Sequence, residues 1–145
     1  MDNPGEIQQI KPGLIKRPEL LTYLCIISFI GSGLASLSNL FIFLSFDEMV
    51  NLKDEMTFDL PEFDLMMSGG KRFFLTGFIL YTLSLFGAIY MWKLRKIGFH
   101  LYTVAQLFIL ILPVVMIPAY PLSWLSILVT GAFVAAYGIH IKVMK

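Results

Sequence analysis

Ionised side chains are scarce in this 145-residue sequence: Asp, Glu, Lys and Arg together make up 14%, about half the share of an ordinary soluble domain. With 57% hydrophobic residues and a mean hydropathy of +0.77, too little polar surface remains to cover a water-soluble globule of this size. The same figures exclude a disordered chain. Net charge is only +1, so nothing electrostatic points to nucleic acid. Cysteine occurs once, at Cys25. One thiol cannot cycle with itself, which excludes quinone-coupled disulfide enzymes of comparable helix count, and Cys25 reads as a small packing residue. No lipid-attachment motif precedes it, since the residues before it are Thr22, Tyr23 and Leu24. Histidine occurs twice, at His100 and His140, with no neighbouring Cys or carboxylate, so no metal site and no cofactor are expected.

What is present is hydrocarbon-length sequence. Leu20 to Phe46 runs 27 residues without a formal charge, and about 20 suffice to cross a bilayer core. Its length requires tilt or extra turns beyond the lipid. Phe73 to Trp92 gives a second charge-free run of 20. From Ile97 to Ile141 there are 45 uncharged residues, enough for two spans joined by a tight turn. Pro118 and Pro121 place that turn, because proline removes a backbone donor and pushes its predecessor out of helical geometry. Pro113 falls inside the third span and should kink it.

The expected organisation is a cytoplasmic tail (1–19), span one (20–46), an acidic extracytoplasmic loop (47–72), span two (73–92), a basic cytoplasmic turn (93–98), span three (99–117), an outer proline turn (118–121), span four (122–141) and a cytoplasmic tail (142–145). Backbone polar groups in lipid must be satisfied within the segment, and the runs lack the alternation of a barrel strand, so the spans are helices. The fold class is an all-α integral membrane four-helix bundle. Lys11, Lys16, Arg17, Lys93, Arg95, Lys96, Lys142 and Lys145 fall on one side of it, and Lys53, Lys71 and Arg72 on the other. The positive-inside rule then puts both termini in the cytoplasm. Tyr23, Tyr90, Trp92, Tyr102 and Tyr137 fall near the inner interface, and Tyr120 and Trp124 near the outer one. A cleavable leader, with Gly33 and Ala35 at the cut, fits less well than a retained anchor, because the apolar run continues unbroken to Phe46.

No Asp, Glu, Lys or Arg lies inside a span, which counts against proton-coupled export through a first-span carboxylate. The interior polar groups are neutral, chiefly Ser28, Ser32, Ser36 and Asn39 in span one and Gln106 in span three. Such groups more often hydrogen-bond between helices than bind a solute. Ser28, Ser32 and Ser36 recur every fourth residue, with Gly31 and Ala35 on the adjoining strip, and span four repeats the small-residue pattern with Gly131 and Ala135. Helices in lipid touch where side chains are small. These strips therefore pack spans one and four inside the bundle, or face a membrane-protein partner or a second copy. A serine nucleophile at Ser32 or Ser36 with His100 or His140 as base is disfavoured, because the histidines belong to the boundary and the serines to mid-membrane.

The outer loop interleaves seven acids with apolar residues, among them Met56, Phe58, Leu60 and Phe63, and ends in Ser68, Gly69 and Gly70. Three cations leave it at net minus four. It suits a segment lying on the membrane surface or a partner-binding strip. On the opposite face, Lys93, Arg95 and Lys96 sit at the depth of anionic lipid headgroups.

Two stretches carry a resemblance. Arg17, Pro18, Leu20 to Thr22, Leu24 to Ile26 and Ser28 to Gly33 form the first. Met91 to Lys96 with Gly98, Phe99, Tyr102, Ala105 and Gln106 form the second. Together they resemble the opening and the second-to-third span hairpin of uncharacterised small four-span bacterial inner-membrane proteins. The resemblance implies a multi-pass inner (plasma) membrane protein with both ends cytoplasmic, and it supplies no activity. The expected function is therefore non-enzymatic: an accessory, assembly or oligomeric membrane component acting through helix faces and the outer loop. The alternative is a small transporter or pore whose polar path is lined by Asn39, Gln106 and the span-one serines.

Overall fold

The computed structural model describes residues 18–55, 57 and 61–145. Lys11, Lys16 and Arg17 of the expected tail, and Met56, Phe58, Asp59 and Leu60 of the expected loop, lie outside the described residues. All regular structure among the described residues is helical: α1 (Glu19–Leu44), α2 (Phe46–Glu55), α3 (Pro61–Ser68), α4 (Gly70–Trp92), α5 (Lys96–Met116), α6 (Trp124–Ile139) and a closing 3-10 turn (Ile141–Val143). Four segments are long and apolar enough to cross a membrane: Glu19–Leu44, Gly70–Trp92, Lys96–Met116 and Trp124–Val143, of 26, 23, 21 and 20 residues.

The segment expected as an outer loop contains two helices. α1 stops at Leu44, before the charge-free run ends, and Ser45 joins it to α2 with little interruption. The Ser45 N–H donates to the Phe41 carbonyl at 3.0 Å, and the Ser45 carbonyl accepts from Met49 N–H at 2.9 Å. Asp47 and Glu48 then occupy the first turn of α2, where negative charge meets the unsatisfied N–H groups of a helix start. α3 opens on Pro61, whose fixed φ suits a first helical position, followed by Glu62 and Asp64. Lys53 pairs with Asp64 at 2.8 Å across α2 and α3, and Lys71 with Asp47 at 3.1 Å. The chain reverses into α4 at Gly70, whose φ of +72° is open to glycine at little cost.

The connection between α4 and α5 is tighter than the 93–98 turn read from the sequence, because α5 already begins at Lys96. Leu94 N–H donates to the Met91 carbonyl at 2.9 Å and Arg95 N–H to the Tyr90 carbonyl at 3.0 Å. This is the double closure of a Schellman helix end, with Leu94 at φ +57° where glycine is usual. The tail docks on this turn: Lys145 N–H donates to the Leu94 carbonyl at 2.7 Å, and Lys96 N–H to the Lys145 carbonyl at 2.9 Å.

α4 is the central helix, packed along α1 on one side and α5 on the other, whereas α6 meets the rest far more sparingly. Two glycines set the approach of α4 to α5. A Cβ on Gly87 would lie 2.7 Å from the Tyr102 backbone nitrogen, and one on Gly98 only 2.5 Å from that of Met91. The core divides into two apolar clusters. Leu21, Cys25, Ala88, Met91, Tyr102, Tyr137 and Met144 fill the end that carries the basic turn. Met67, Phe73, Phe74 and Ile117 fill the acidic end, where Phe46 and Met49 of α2 and Phe63 of α3 lean on them.

Candidate functional site

Along the inward face of α1 the four-residue serine period becomes a ladder of interhelical hydrogen bonds. Ser28 Oγ lies 2.8 Å from the Tyr137 hydroxyl and donates to that of Tyr102 at 3.4 Å. One turn on, Ser32 Oγ lies 3.0 Å from Ser84 Oγ, which also accepts from Gln106 Nε2 at 3.1 Å. A further turn along, Ser36 Oγ lies 2.8 Å from Thr82 Oγ1, whose hydroxyl reaches the Phe78 carbonyl at 2.7 Å. All three serines are buried. A helix places i and i+4 one above the other, so a single strip can bind three neighbouring helices in turn. Asn39 closes the series: its Nδ2 donates to the Ala35 carbonyl at 2.8 Å, and its Oδ1 occupies the space a Cβ on Gly77 would take, 2.5 Å away.

Tyr102 and Tyr137, read from the sequence as lying near the inner interface, belong to the cluster at the basic end and are core residues at 3% and 0% exposure, their rings meeting edge to face at 5.0 Å. The Ser28 hydroxyl accounts for their burial, since a phenol is readily buried once its O–H has a partner. Tyr23 and Trp124 do remain exposed.

The small residues of α1 and α6 fare differently from one another. Ser28, Ser32 and Ser36 turn inward, Ala35 is half-buried, and Gly31 is exposed at the margin. On α6, Gly131 and Ala135 are exposed, and a Cβ built on Gly131 would meet nothing within 4 Å. They lie on one outward stripe with Trp124, Leu128 and Ile139, which are 80%, 68% and 75% exposed. Ser32 and Ala135 therefore do not share a contact surface within the chain. Lys93, Arg95 and Lys96 are exposed at the basic end, beside the docked Lys145. His140 Nδ1 lies 2.8 Å from the Ala136 carbonyl and His100 stacks edge-on against Phe99, so among the described residues neither histidine pairs with Ser32 or Ser36. Among the described residues no three His, Cys, Asp or Glu side chains gather as metal ligands would.

Because α6 is attached mainly at its Tyr137 end, a cleft opens between it and the other helices. A cavity of about 390 Å³ reaches from Gln106 and Thr130 to Tyr120, and another of about 310 Å³ from Gln106 and Thr130 to Ser28 and Gly31. A third, of about 140 Å³, lies against Asn39 and Gly77. Tyr81 lines all three, although no motif or spacing in the sequence marks it. No family model, curated protein or solved structure matches this chain.

Proposed function

We infer that this chain is a four-span bacterial inner-membrane protein with both ends in the cytoplasm, and that it acts without catalysis, by association, as an accessory or assembly subunit or as a homo-oligomer. Orientation is supported by the grouping of Lys93, Arg95, Lys96, Lys142 and Lys145 at one end, against Lys53, Lys71 and Arg72 at the other. The association reading rests on one observation: α6 presents Gly131 and Ala135 outward, unoccupied, between Trp124, Leu128 and Ile139. Lipid tails give helices no hydrophobic reason to associate, so a backbone left open by small residues suits another helix better than it suits acyl chains.

The rival path through Asn39, Gln106 and the serines has less support, because Ser28, Ser32 and Ser36 are spent on hydrogen bonds to Tyr137, Ser84 and Thr82. The test is oxidative crosslinking in native membranes of chains carrying Gly131→Cys or Ala135→Cys with Cys25→Ala. A covalent dimer, or one stoichiometric heterologous product, is expected. A chain that stays monomeric at both positions and copurifies with no stoichiometric partner refutes the reading. Orientation is tested separately, by labelling Asp47→Cys in the same background with a membrane-impermeant maleimide. Labelling in intact spheroplasts is expected, and labelling only after lysis refutes the topology.

A further inference from the structure

The serine ladder satisfies its own hydroxyls, and the cleft beside it does not. Tyr81 faces three adjoining cavities, yet its phenol makes no hydrogen bond among the described residues. Thr130 and Ser126, which line the widest cavity across from it, are likewise without a partner among the described residues. Pro113 lines the same space and offers no N–H to the Ile109 carbonyl beside it. Unpaired hydroxyls at membrane depth are costly, so an occupant that brings oxygen atoms to meet them is favoured over bare hydrocarbon.

Charge limits what that occupant can be. No Asp, Glu, Lys, Arg or His lines any of the three cavities, so an ion or a charged headgroup would enter uncompensated. Volumes of about 390 and 310 Å³, sharing Tyr81, Gln106 and Thr130, fall within the usual range for a small-molecule site. The mouth is flanked by exposed Ile27, Leu125 and Val129, on the side that faces lipid if the four helices span. Entry is therefore lateral, from the bilayer.

We propose that the cleft between α6 and the α1–α4–α5 body binds an uncharged lipid whose head carries carbonyl or hydroxyl oxygens, held by the Tyr81 phenol with Thr130 and Ser126 opposite. Two sources share that chemistry, the acylglycerols and the isoprenoid quinones, and separate probes distinguish them. The site is independent of the association surface, since Ser126 and Thr130 lie toward the cleft and Gly131 and Ala135 on the outer stripe.

The experiment is equilibrium binding of tritiated dioleoylglycerol and of decylubiquinone to the full chain in phosphatidylcholine nanodiscs, with empty discs as reference. One of the two is expected to saturate near one per chain. Tyr81→Phe is expected to weaken it about 3- to 10-fold, the effect of one lost hydrogen bond. Thermal stability should not fall, because that hydroxyl has no intramolecular partner to lose. Absence of saturable binding for both probes, or binding indifferent to Tyr81→Phe, overturns the proposal. Disulfide-linked dimers through Ser126→Cys in a Cys25→Ala chain would overturn it as well, by showing a second copy in the cleft.

Discussion

The Tyr137 hydroxyl lies 2.8 Å from Ser28 Oγ, so the first and last long helices are joined by side chains 109 residues apart in sequence. α6 has few other attachments to α1. Tyr137→Phe removes the bond and keeps the ring, at an expected loss of about 1 kcal/mol, within the range of interhelical hydrogen bonds in lipid. Ser28→Ala should cost a similar amount, and the double variant less than the sum of the two. Unfolding by SDS titration in mixed micelles measures all three, and strict additivity would show that the two groups do not interact.

Ser84 is the branch point of the ladder, meeting both Ser32 and Gln106. Ser84→Ala removes hydrogen bonds to two helices and strands the buried Ser32, whereas Ser36→Ala removes one and leaves Thr82 bonded to the Phe78 carbonyl. The first should lower stability by about 1–2 kcal/mol and the second by about 0.5–1 kcal/mol in the same titration. Equal effects would mean that Gln106 finds another partner at once.

Glycines of similar appearance should differ sharply. A methyl at Gly87 or Gly98 collides with backbone of the opposing helix, which cannot move aside as a side chain can. Gly98→Ala is expected to cost about 2–3 kcal/mol, as overpacking does. Gly33→Ala meets nothing within 4 Å and should be neutral or mildly stabilising. Melting temperatures in detergent separate the two classes.

Ala119 sits in the turn between Pro118 and Pro121 with φ +58°, exposed and without a packing role for its methyl. Ala119→Gly relieves left-handed strain of about 1–2 kcal/mol against an unfolded-state cost of about 0.4–1 kcal/mol. A small net gain in thermal stability is expected, and a loss would show that the turn relaxes in solution.

Cys25 is wholly buried within the cluster at the basic end. A maleimide should leave it unmodified in the folded protein and label it stoichiometrically in SDS. Labelling of the native form, read by mass spectrometry, would show that this end of the structure opens.

The four long helices were legible because hydrophobic length is decided residue by residue, and each charged boundary can be read without knowing what it touches. The helical character of the acidic segment was not. α2 and α3 are held by Phe46, Met49 and Phe63 packed against the cluster of Met67, Phe73, Phe74 and Ile117, a relation between separate stretches that local pattern does not record. The serine period on α1 was visible, while its partners Thr82, Ser84 and Tyr137 depend on how the helices rotate about their axes. The same limit hid the opposite fates of two similar patterns, Ser28 to Ser36 turning inward and Gly131 with Ala135 turning out. Tyr81 was invisible for a further reason: a cavity is defined by what fails to fill it, and sequence lists only what is present.

The rungs of the ladder differ in when they can close. Ser32 and Ser36 find Ser84 and Thr82 as soon as the second long helix arrives, but Ser28 must wait for α5 and α6. In the nascent chain Ser28 meets Tyr102 of α5 first, at 3.4 Å, and makes its shorter contact, with Tyr137 at 2.8 Å, only when α6 has emerged. A product cut short before α6 would hold Ser28 by the longer of its two bonds alone, so the final helix tightens a joint that the earlier ones only begin.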